Sequence, residues 1–169
     1  MAPELFWIPG PWRGRLAISS RPRGGDWLED EVRAWQRANV DVVVSLLERE
    51  EQTELGIQEE GPRVEAAGLR FVSFPIPDRG VPASQLAAAS LLHDLGRDLE
   101  SGKTVAVHCR QGVGRSGLIA AGALILAGTD AASALRTVSA ARGLDVPETP
   151  EQRLWIERLP VDRPVLSLP

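Results

Sequence analysis

The stretch from Thr104 to Leu126, TVAVHCRQGVGRSGLIAAGALIL, decides the fold, because it joins two apolar segments through a short polar and glycine-rich turn. Residues 104–107 form a β-branched run, which is typical of a strand buried on both faces of a parallel sheet. Residues 118–126 are apolar almost all round, which predicts a buried helix. The segment between them is therefore a tight turn from a strand into a helix.

This turn has the composition of an anion-binding site. Gly112 and Gly114 permit backbone conformations that are closed to other residues, so that successive N–H groups can point at one bound oxyanion. The following helix adds the positive end of its dipole, and Arg115 offers a planar fork that fits two phosphate oxygens. The residues expected to surround a phosphate are Arg110, Gln111, Gly112, Val113, Gly114 and Arg115.

Cys109 lies at the floor of this predicted turn. A free cysteine, with a pKa of roughly 8.5, is mostly protonated at neutral pH, and only the thiolate is a strong nucleophile. Because the helix dipole, the N–H groups and Arg115 favour the anion, Cys109 is expected to attack phosphorus while the loop holds the equatorial oxygens. The Ser116 hydroxyl is expected to donate to the sulfur and ease its later departure. The other interpretation of a lone cysteine is a small buried hydrophobe.

The pattern His-Cys-x5-Arg-Ser-Gly at residues 108–117 resembles the signature loop of the cysteine-dependent protein tyrosine phosphatase superfamily. The resemblance extends over residues 15–159. It implies a phosphate-monoester hydrolase that acts through a phosphocysteine and needs neither a metal nor another cofactor. It also implies that His108 orients the loop by hydrogen bonding. Because the chain is short, it looks like the compact dual-specificity group rather than the larger tyrosine-specific members.

The segment PIPDRGVP at residues 75–82 indicates a surface loop hinged by prolines and a glycine. Cleavage of a phosphate ester needs a positioned acid for the leaving group. In the resembled superfamily this acid is an aspartate on a mobile loop about thirty residues before the cysteine, and Asp78 precedes Cys109 by 31 residues. Asp78 is therefore the expected general acid. The same loop also fits a structural Asx turn, and Arg79 either lines the pocket rim or is solvated.

Two interpretations of Gln152 remain open. The segment PETPEQ at residues 147–152 predicts a helix start with Thr149 as the N-cap and Pro150 at the first position. Gln152 then occupies the capping-box position, which explains it structurally. The resemblance implies a second role, since some compact members carry a glutamine here that positions the water attacking the phosphocysteine. The two roles do not exclude each other.

The remaining chain alternates predicted strands and helices, which predicts a single-domain α/β fold with a mostly parallel central sheet and helices on both faces. The other strands are expected near residues 15–19, 40–47 and 69–74. Asp26 is expected to form a capping box with Glu29 at the first helix, and the acidic stretch 48–60 to form a solvated loop and helix face. The expected divisions are an irregular N-terminal arm (1–14), a phosphatase domain (15–159) and a C-terminal tail (160–169).

Composition narrows the partners and the location. With a net charge of -4 and a pI near 5.3, the chain lacks the excess of positive charge that is typical of proteins that bind nucleic acids or membrane surfaces. No run approaches the roughly eighteen apolar residues of a membrane span, and residues 1–4 lack a basic signal-peptide start. The single cysteine excludes an internal disulfide and suits a reducing compartment. We expect a cytoplasmic monomer that binds a phosphorylated protein or a small phosphomonoester, but neither nucleic acid nor a membrane.

Three other functions compete with this expectation. A phosphate-binding module without turnover would need the same loop. Sulfur transferases and arsenate reductases also use a Cys-x5-Arg loop, but the spacing of Asp78 and the presence of His108 argue against them. Family members that act on inositol lipids tend to carry lysines inside the loop, whereas Val113 fills one such position here and Arg110 is the extra base.

Overall fold

A five-stranded sheet forms the centre of residues 2–160, which are the residues that the computed structural model describes. The strand order is β1-β2-β5-β3-β4, with β1 antiparallel to β2 and all other neighbours parallel, which confirms the predicted mostly parallel sheet. The strands are β1 (Leu5–Ile8), β2 (Arg15–Ser19), β3 (Val42–Ser45), β4 (Arg70–Ser73) and β5 (Thr104–His108). The predicted tail lies outside the described residues from position 161 onward.

Helices cover both faces of the sheet, as predicted. Side chains alternate along β5, so that Val105 and Val107 join the apolar cluster under α4 to α7, whereas Ala106 joins the cluster under α1 and α3. The helices are α1 (Leu28–Arg37), α2 (Arg49–Glu54), α3 (Glu60–Ala66), α4 (Gln85–Glu100), α5 (Gly114–Leu126), α6 (Ala131–Arg142) and α7 (Pro150–Glu157). Helix α5 is buried from Gly114 to Ile125, which explains its nearly uniform apolar sequence.

Topology places the predicted site at one edge of the sheet. Strand β5 ends at His108 and α5 begins at Gly114, so the residues between them lie at the carboxyl ends of the parallel strands. The segment after β4, residues 75–82, starts from the same edge. We call residues 109–115 the reactive loop and residues 75–82 the acid loop. Such an edge is where open α/β sheets bind their ligands.

The first fourteen residues are not an irregular arm throughout. Residues 5–8 form β1, which pairs with β2 in register from Leu5 opposite Ser19 to Ile8 opposite Leu16. The guanidinium of Arg15 lies 3.6 Å from the centroid of the Trp7 ring, which adds a side-chain contact across the pair. The prolines and the glycine that suggested irregularity lie just after this strand, where they end it.

Two other local predictions are wrong. Asp26 forms no capping box, because a 3₁₀ turn over Gly25–Trp27 leads directly into α1 and no side chain caps that helix. The acidic stretch 48–60 forms α2, a turn and the start of α3, but it is not solvated throughout. Glu51 and Glu60 are only 8% and 1% exposed. Both carboxylates point toward the predicted site, and each has a buried partner there.

Candidate active site

Cys109 lies at the floor of a cavity of about 160 Å³ and is 2% exposed. The backbone N–H of Gly112 donates to its Sγ atom at 3.2 Å. The structure thus brings most of the predicted site residues together around one sulfur. The residues lining the cavity are Asp78, Arg79, Cys109, Arg110, Gln111, Gly114, Arg115 and Glu148.

Two glycines of the reactive loop have steric reasons to be glycine. Gly112 has φ +70°, a left-handed conformation that other residues rarely adopt. At Gly114, a Cβ atom would lie 2.7 Å from Glu148 Oε2 and 2.9 Å from both polar atoms of the Gln152 amide. The loop therefore packs its backbone directly against the start of α7. A side chain at Gly114 would therefore displace the Glu148 and Gln152 side chains.

Arg115 is held as a flat fork in the first turn of α5, where it is 2% exposed. Its Nη1 and Nη2 donate to the two carboxylate oxygens of Glu51 at 2.7 and 2.8 Å. Nη1 also donates to the Ile76 carbonyl at 3.0 Å, and Nη2 donates to Asp78 Oδ1 at 3.2 Å. Sequence analysis did not identify Glu51, yet this bidentate contact fixes the plane of the guanidinium.

The carboxylate of Glu51 and the guanidinium of Arg115 stabilise each other's charge despite their burial. Burial alone would raise the pKa of Glu51, but the hydrogen bonds from Arg115 and from the Glu48 backbone outweigh it and hold the pKa below its usual value. Burial alone would likewise lower the pKa of Arg115, but the Glu51 carboxylate and the nearby Cys109 sulfur raise it. Arg115 is therefore a permanent cation at the cavity floor.

Glu51→Gln is expected to destabilise the fold by about 3 kcal/mol at pH 7, because it removes the charged partner of a buried guanidinium. The folded-state pKa of Glu51 is lowered, so its contribution is present above the ordinary value of 4.5 and is lost as the pH falls below it. Urea unfolding at pH 7 and pH 4 should therefore show a smaller acid-induced loss in Glu51→Gln than in the wild type. The exposed neighbour Glu50, changed to Gln, is the matched control. Equal acid sensitivity of wild type and Glu51→Gln would contradict the assignment.

Asp78 lies at the mouth of the cavity, with its carboxylate 57% exposed. Its contact with Arg115 places it beside the cation that faces Cys109. Arg79, the next residue, has φ +59° and lines the same mouth. The acid loop thus turns sharply here and presents both side chains to the cavity.

Gln152 is fully buried, and both ends of its amide are hydrogen-bonded. Its Oε1 accepts from the backbone N–H groups of Glu148 and Thr149 at 3.1 and 3.3 Å. The backbone N–H of Gln152 donates to the Thr149 hydroxyl at 3.2 Å. These bonds confirm the capping box at α7. Gln152 Nε2 also donates to the Gly80 carbonyl at 3.0 Å, so the same side chain ties the acid loop to α7.

His108 ends β5 and is fully buried. Its Nε2 lies 2.5 Å from Glu60 Oε1, and its ring stacks on Trp35 with centroids 5.9 Å apart. Its carbonyl accepts from the Leu46 N–H at 3.0 Å. These contacts fix the strand end that carries Cys109, whereas the other ring nitrogen, Nδ1, has no hydrogen-bond partner within residues 2–160.

Glu60→Ala is expected to destabilise the fold by about 2 kcal/mol, since it leaves the buried His108 ring without its hydrogen-bond partner. Urea unfolding at pH 7 measures this loss. Glu59→Ala, at the exposed position just before it, is the matched control and should change the free energy of unfolding much less. Equal effects of the two substitutions would show that the His108 contact contributes nothing.

The other predicted residues of the loop differ in their surroundings. Ser116 is buried, and its hydroxyl forms no hydrogen bond with Cys109 or with any other described group, so donation to the sulfur stays a prediction. Arg110 Nη1 donates to Glu54 Oε2 of α2 at 3.0 Å, and this contact raises the pKa of Arg110. Gln111 is exposed at the rim, and Val113 is half-buried against the core.

Two features bear on metal binding and membrane insertion within residues 2–160. No group of three or more His, Cys, Asp or Glu side chains is placed to hold a metal ion. No helix in this part of the chain is long and apolar enough to cross a membrane.

Comparisons with known proteins give one family and many similar folds. A family model described as polymorphic toxin system, DSP-PTPase phosphatase (Tc-R-P) matches residues 18–129. The structure is similar to that of kinase associated phosphatase (KAP), with 15% identity, a TM-score of 0.82 and coverage of 92% of this chain and 93% of that one. It is also similar to Tk-PTP, with 30% identity, a TM-score of 0.71 and coverage of 86% and 91%, and to P. aeruginosa TpbA, with 22% identity, a TM-score of 0.63 and coverage of 92% and 92%. The comparison with curated proteins gives no match.

Proposed function

Since the chain belongs to the Tc-R-P family of DSP-PTPase phosphatases, we propose that it hydrolyses phosphate monoesters through a phosphocysteine at Cys109. One observation carries the proposal. Three groups line one cavity: the Cys109 sulfur, which accepts a backbone N–H, the buried Arg115 guanidinium and the exposed Asp78 carboxylate. These are the nucleophile, the anion-binding group and the acid that the reaction requires.

In the first step, the Cys109 thiolate attacks phosphorus, an S–P bond forms and the bond to the ester oxygen breaks. Asp78, in its protonated form, gives its proton to that oxygen, so that an alcohol or phenol leaves. Arg115 and the inward N–H groups hold the equatorial oxygens, whose negative charge must be stabilised during the transfer. We infer that this charge balance comes from the protein itself, without a metal ion.

In the second step, water attacks the phosphocysteine, Asp78 as carboxylate takes a proton from that water, and the S–P bond breaks to regenerate the thiolate. The Ser116 hydroxyl has no hydrogen-bond partner among the described residues, so it is available to donate to the departing sulfur. Gln152 Nε2 carries a second N–H besides the one that donates to the Gly80 carbonyl, and this second N–H is available to bind the attacking water. We propose both roles for Gln152, namely holding the acid loop through Gly80 and positioning the water.

We propose phosphotyrosine and phosphoserine or phosphothreonine in proteins, or a small phosphomonoester, as the substrate class. The exposed position of Asp78 at the mouth of a small cavity supports a site that accepts short as well as long side chains. A structure of P. aeruginosa TpbA contains pTyr. We further propose a cytoplasmic monomer that binds neither nucleic acid nor a membrane, with the phosphatase domain at residues 15–159.

The test is hydrolysis of p-nitrophenyl phosphate in the presence of EDTA, followed by rates on matched phosphotyrosyl, phosphoseryl, phosphoinositide and phosphosugar substrates. Quenching the reaction in denaturant should capture labelled phosphate on the protein at Cys109. Phosphate binding without any turnover would overturn the proposal in favour of a binding module. Turnover of thiosulfate or arsenate in place of phosphate esters would overturn it in favour of a transferase or reductase.

A further inference from the structure

A second arginine contacts the reactive loop from outside the cavity. Arg142, the last residue of α6, donates from Nε to the Gly112 carbonyl at 2.7 Å and from Nη2 to the Gln111 carbonyl at 3.3 Å. The two acceptors are consecutive carbonyls of the loop that carries Cys109. Arg142 does not line the cavity, so it contacts the peptide backbone rather than the position of a bound phosphate.

The Arg142 guanidinium is itself held in place by the first strand. Its central carbon lies 4.0 Å from the centroid of the Phe6 ring on β1. A guanidinium over an aromatic face keeps its plane and its charge while it donates sideways to other groups. The residue after Arg142, Gly143, ends α6 with φ +75°, which fixes the backbone that carries the Arg142 side chain.

These contacts determine where the loop N–H groups point. In a trans peptide, the C=O and N–H groups of one unit point in opposite directions. The unit that places the Gln111 carbonyl on Arg142 therefore directs the Gly112 N–H the other way, and that N–H donates to Cys109 Sγ at 3.2 Å. The next unit, whose Gly112 carbonyl binds Arg142, directs the Val113 N–H away from Arg142 in the same manner.

We propose that Arg142, supported by Phe6, is a positioning residue that holds two peptide units of the reactive loop with their N–H groups turned toward the sulfur and the phosphate. The inference rests on the proposed function and adds to it a connection from the edge strand β1 to the anion site. Loss of the Arg142 fork frees two consecutive peptide units to rotate, and the two units meet at Gly112. The anion then loses oriented donors although no residue in contact with it has changed.

The experiment compares Arg142→Gln, Arg142→Lys and Phe6→Leu with the wild type and with Arg136→Gln, an exposed arginine on the same helix, as the control. The dissociation constant of tungstate and the KM for p-nitrophenyl phosphate should each rise about tenfold in Arg142→Gln, because misplaced binding groups cost roughly one to two orders of magnitude. Phe6→Leu, which keeps the apolar contact but removes the ring face, should show a smaller rise. Arg142→Lys should recover part of the loss, since it restores one charged donor.

The readouts separate positioning from general destabilisation. A merely structural role would lower the amount of active protein, and thus kcat and the number of tungstate sites, while the affinity of the folded fraction stayed at the wild-type value. Unchanged tungstate affinity and KM in Arg142→Gln would overturn the inference. If the wild type binds tungstate but turns over no ester, the proposed function fails, yet a weaker tungstate affinity in Arg142→Gln would still support the positioning role.

Discussion

Cys109→Ser is expected to lower kcat for p-nitrophenyl phosphate by about four orders of magnitude or more, because loss of a covalent nucleophile costs nearly all of the catalysed rate. A serine hydroxyl is a much weaker acid than a thiol, so it keeps its proton at neutral pH and is a poor nucleophile. The substitution is nearly isosteric and the residue is 2% exposed, so the fold and the anion site should survive. Wild type and variant are compared by turnover, by tungstate binding and by thermal unfolding.

The single cysteine makes the control unusually direct, since iodoacetamide can alkylate no other thiol in the chain. Alkylation of the wild type should abolish turnover in proportion to the modified fraction, and tungstate should protect against it. Turnover retained by Cys109→Ser, or by the fully alkylated protein, would end the assignment of Cys109 as the nucleophile.

Asp78→Asn is expected to lower kcat by about a hundredfold, the usual contribution of a general acid. The loss should be larger for a phosphoseryl or phosphotyrosyl peptide than for p-nitrophenyl phosphate, because nitrophenolate leaves readily without a proton. Tungstate affinity should be kept or improved, since the Asp78 carboxylate that now contacts Arg115 competes with a bound anion. Steady-state kinetics on the two kinds of substrate measure both effects.

Glu148 provides the comparison for Asp78, because its carboxylate lines the same cavity but approaches it from the start of α7. Glu148→Gln should cost less than about tenfold and should show no dependence on the leaving group. Equal losses in the two variants, or an Asp78→Asn loss that is the same for good and poor leaving groups, would contradict the role of Asp78 as the acid.

The fold and the centre of the site could be predicted because their signals are local. The strand, the turn and the helix around Cys109 are adjacent in the sequence, and the α7 cap depends on residues that are three positions apart. Proline spacing showed the acid loop for the same reason. Strand β1 was missed because four residues beside two prolines carry little periodicity, and its pairing with β2 supplies most of the order.

The buried carboxylates that hold Arg115 and His108 could not be predicted, because each of these contacts joins distant parts of the chain. Glu51 and Arg115 are 64 residues apart, and Glu60 and His108 are 48 apart. Within the acidic stretch nothing distinguishes these two glutamates from exposed neighbours such as Glu50. The one signal for these glutamates was indirect. An arginine and a histidine that are buried at the reactive loop each need a hydrogen-bond partner, which the acidic stretch could supply.

The side-chain amide of Gln152 joins the acid loop to the first turn of α7. Moving the segment around Asp78 outward breaks the bond to Gly80, which leaves a buried donor idle and loosens the side chain that also caps the helix. Outward movement of the acid loop and fraying of α7 should therefore occur together. Amide hydrogen exchange at the beginning of α7 would then report how often the cavity around Cys109 opens.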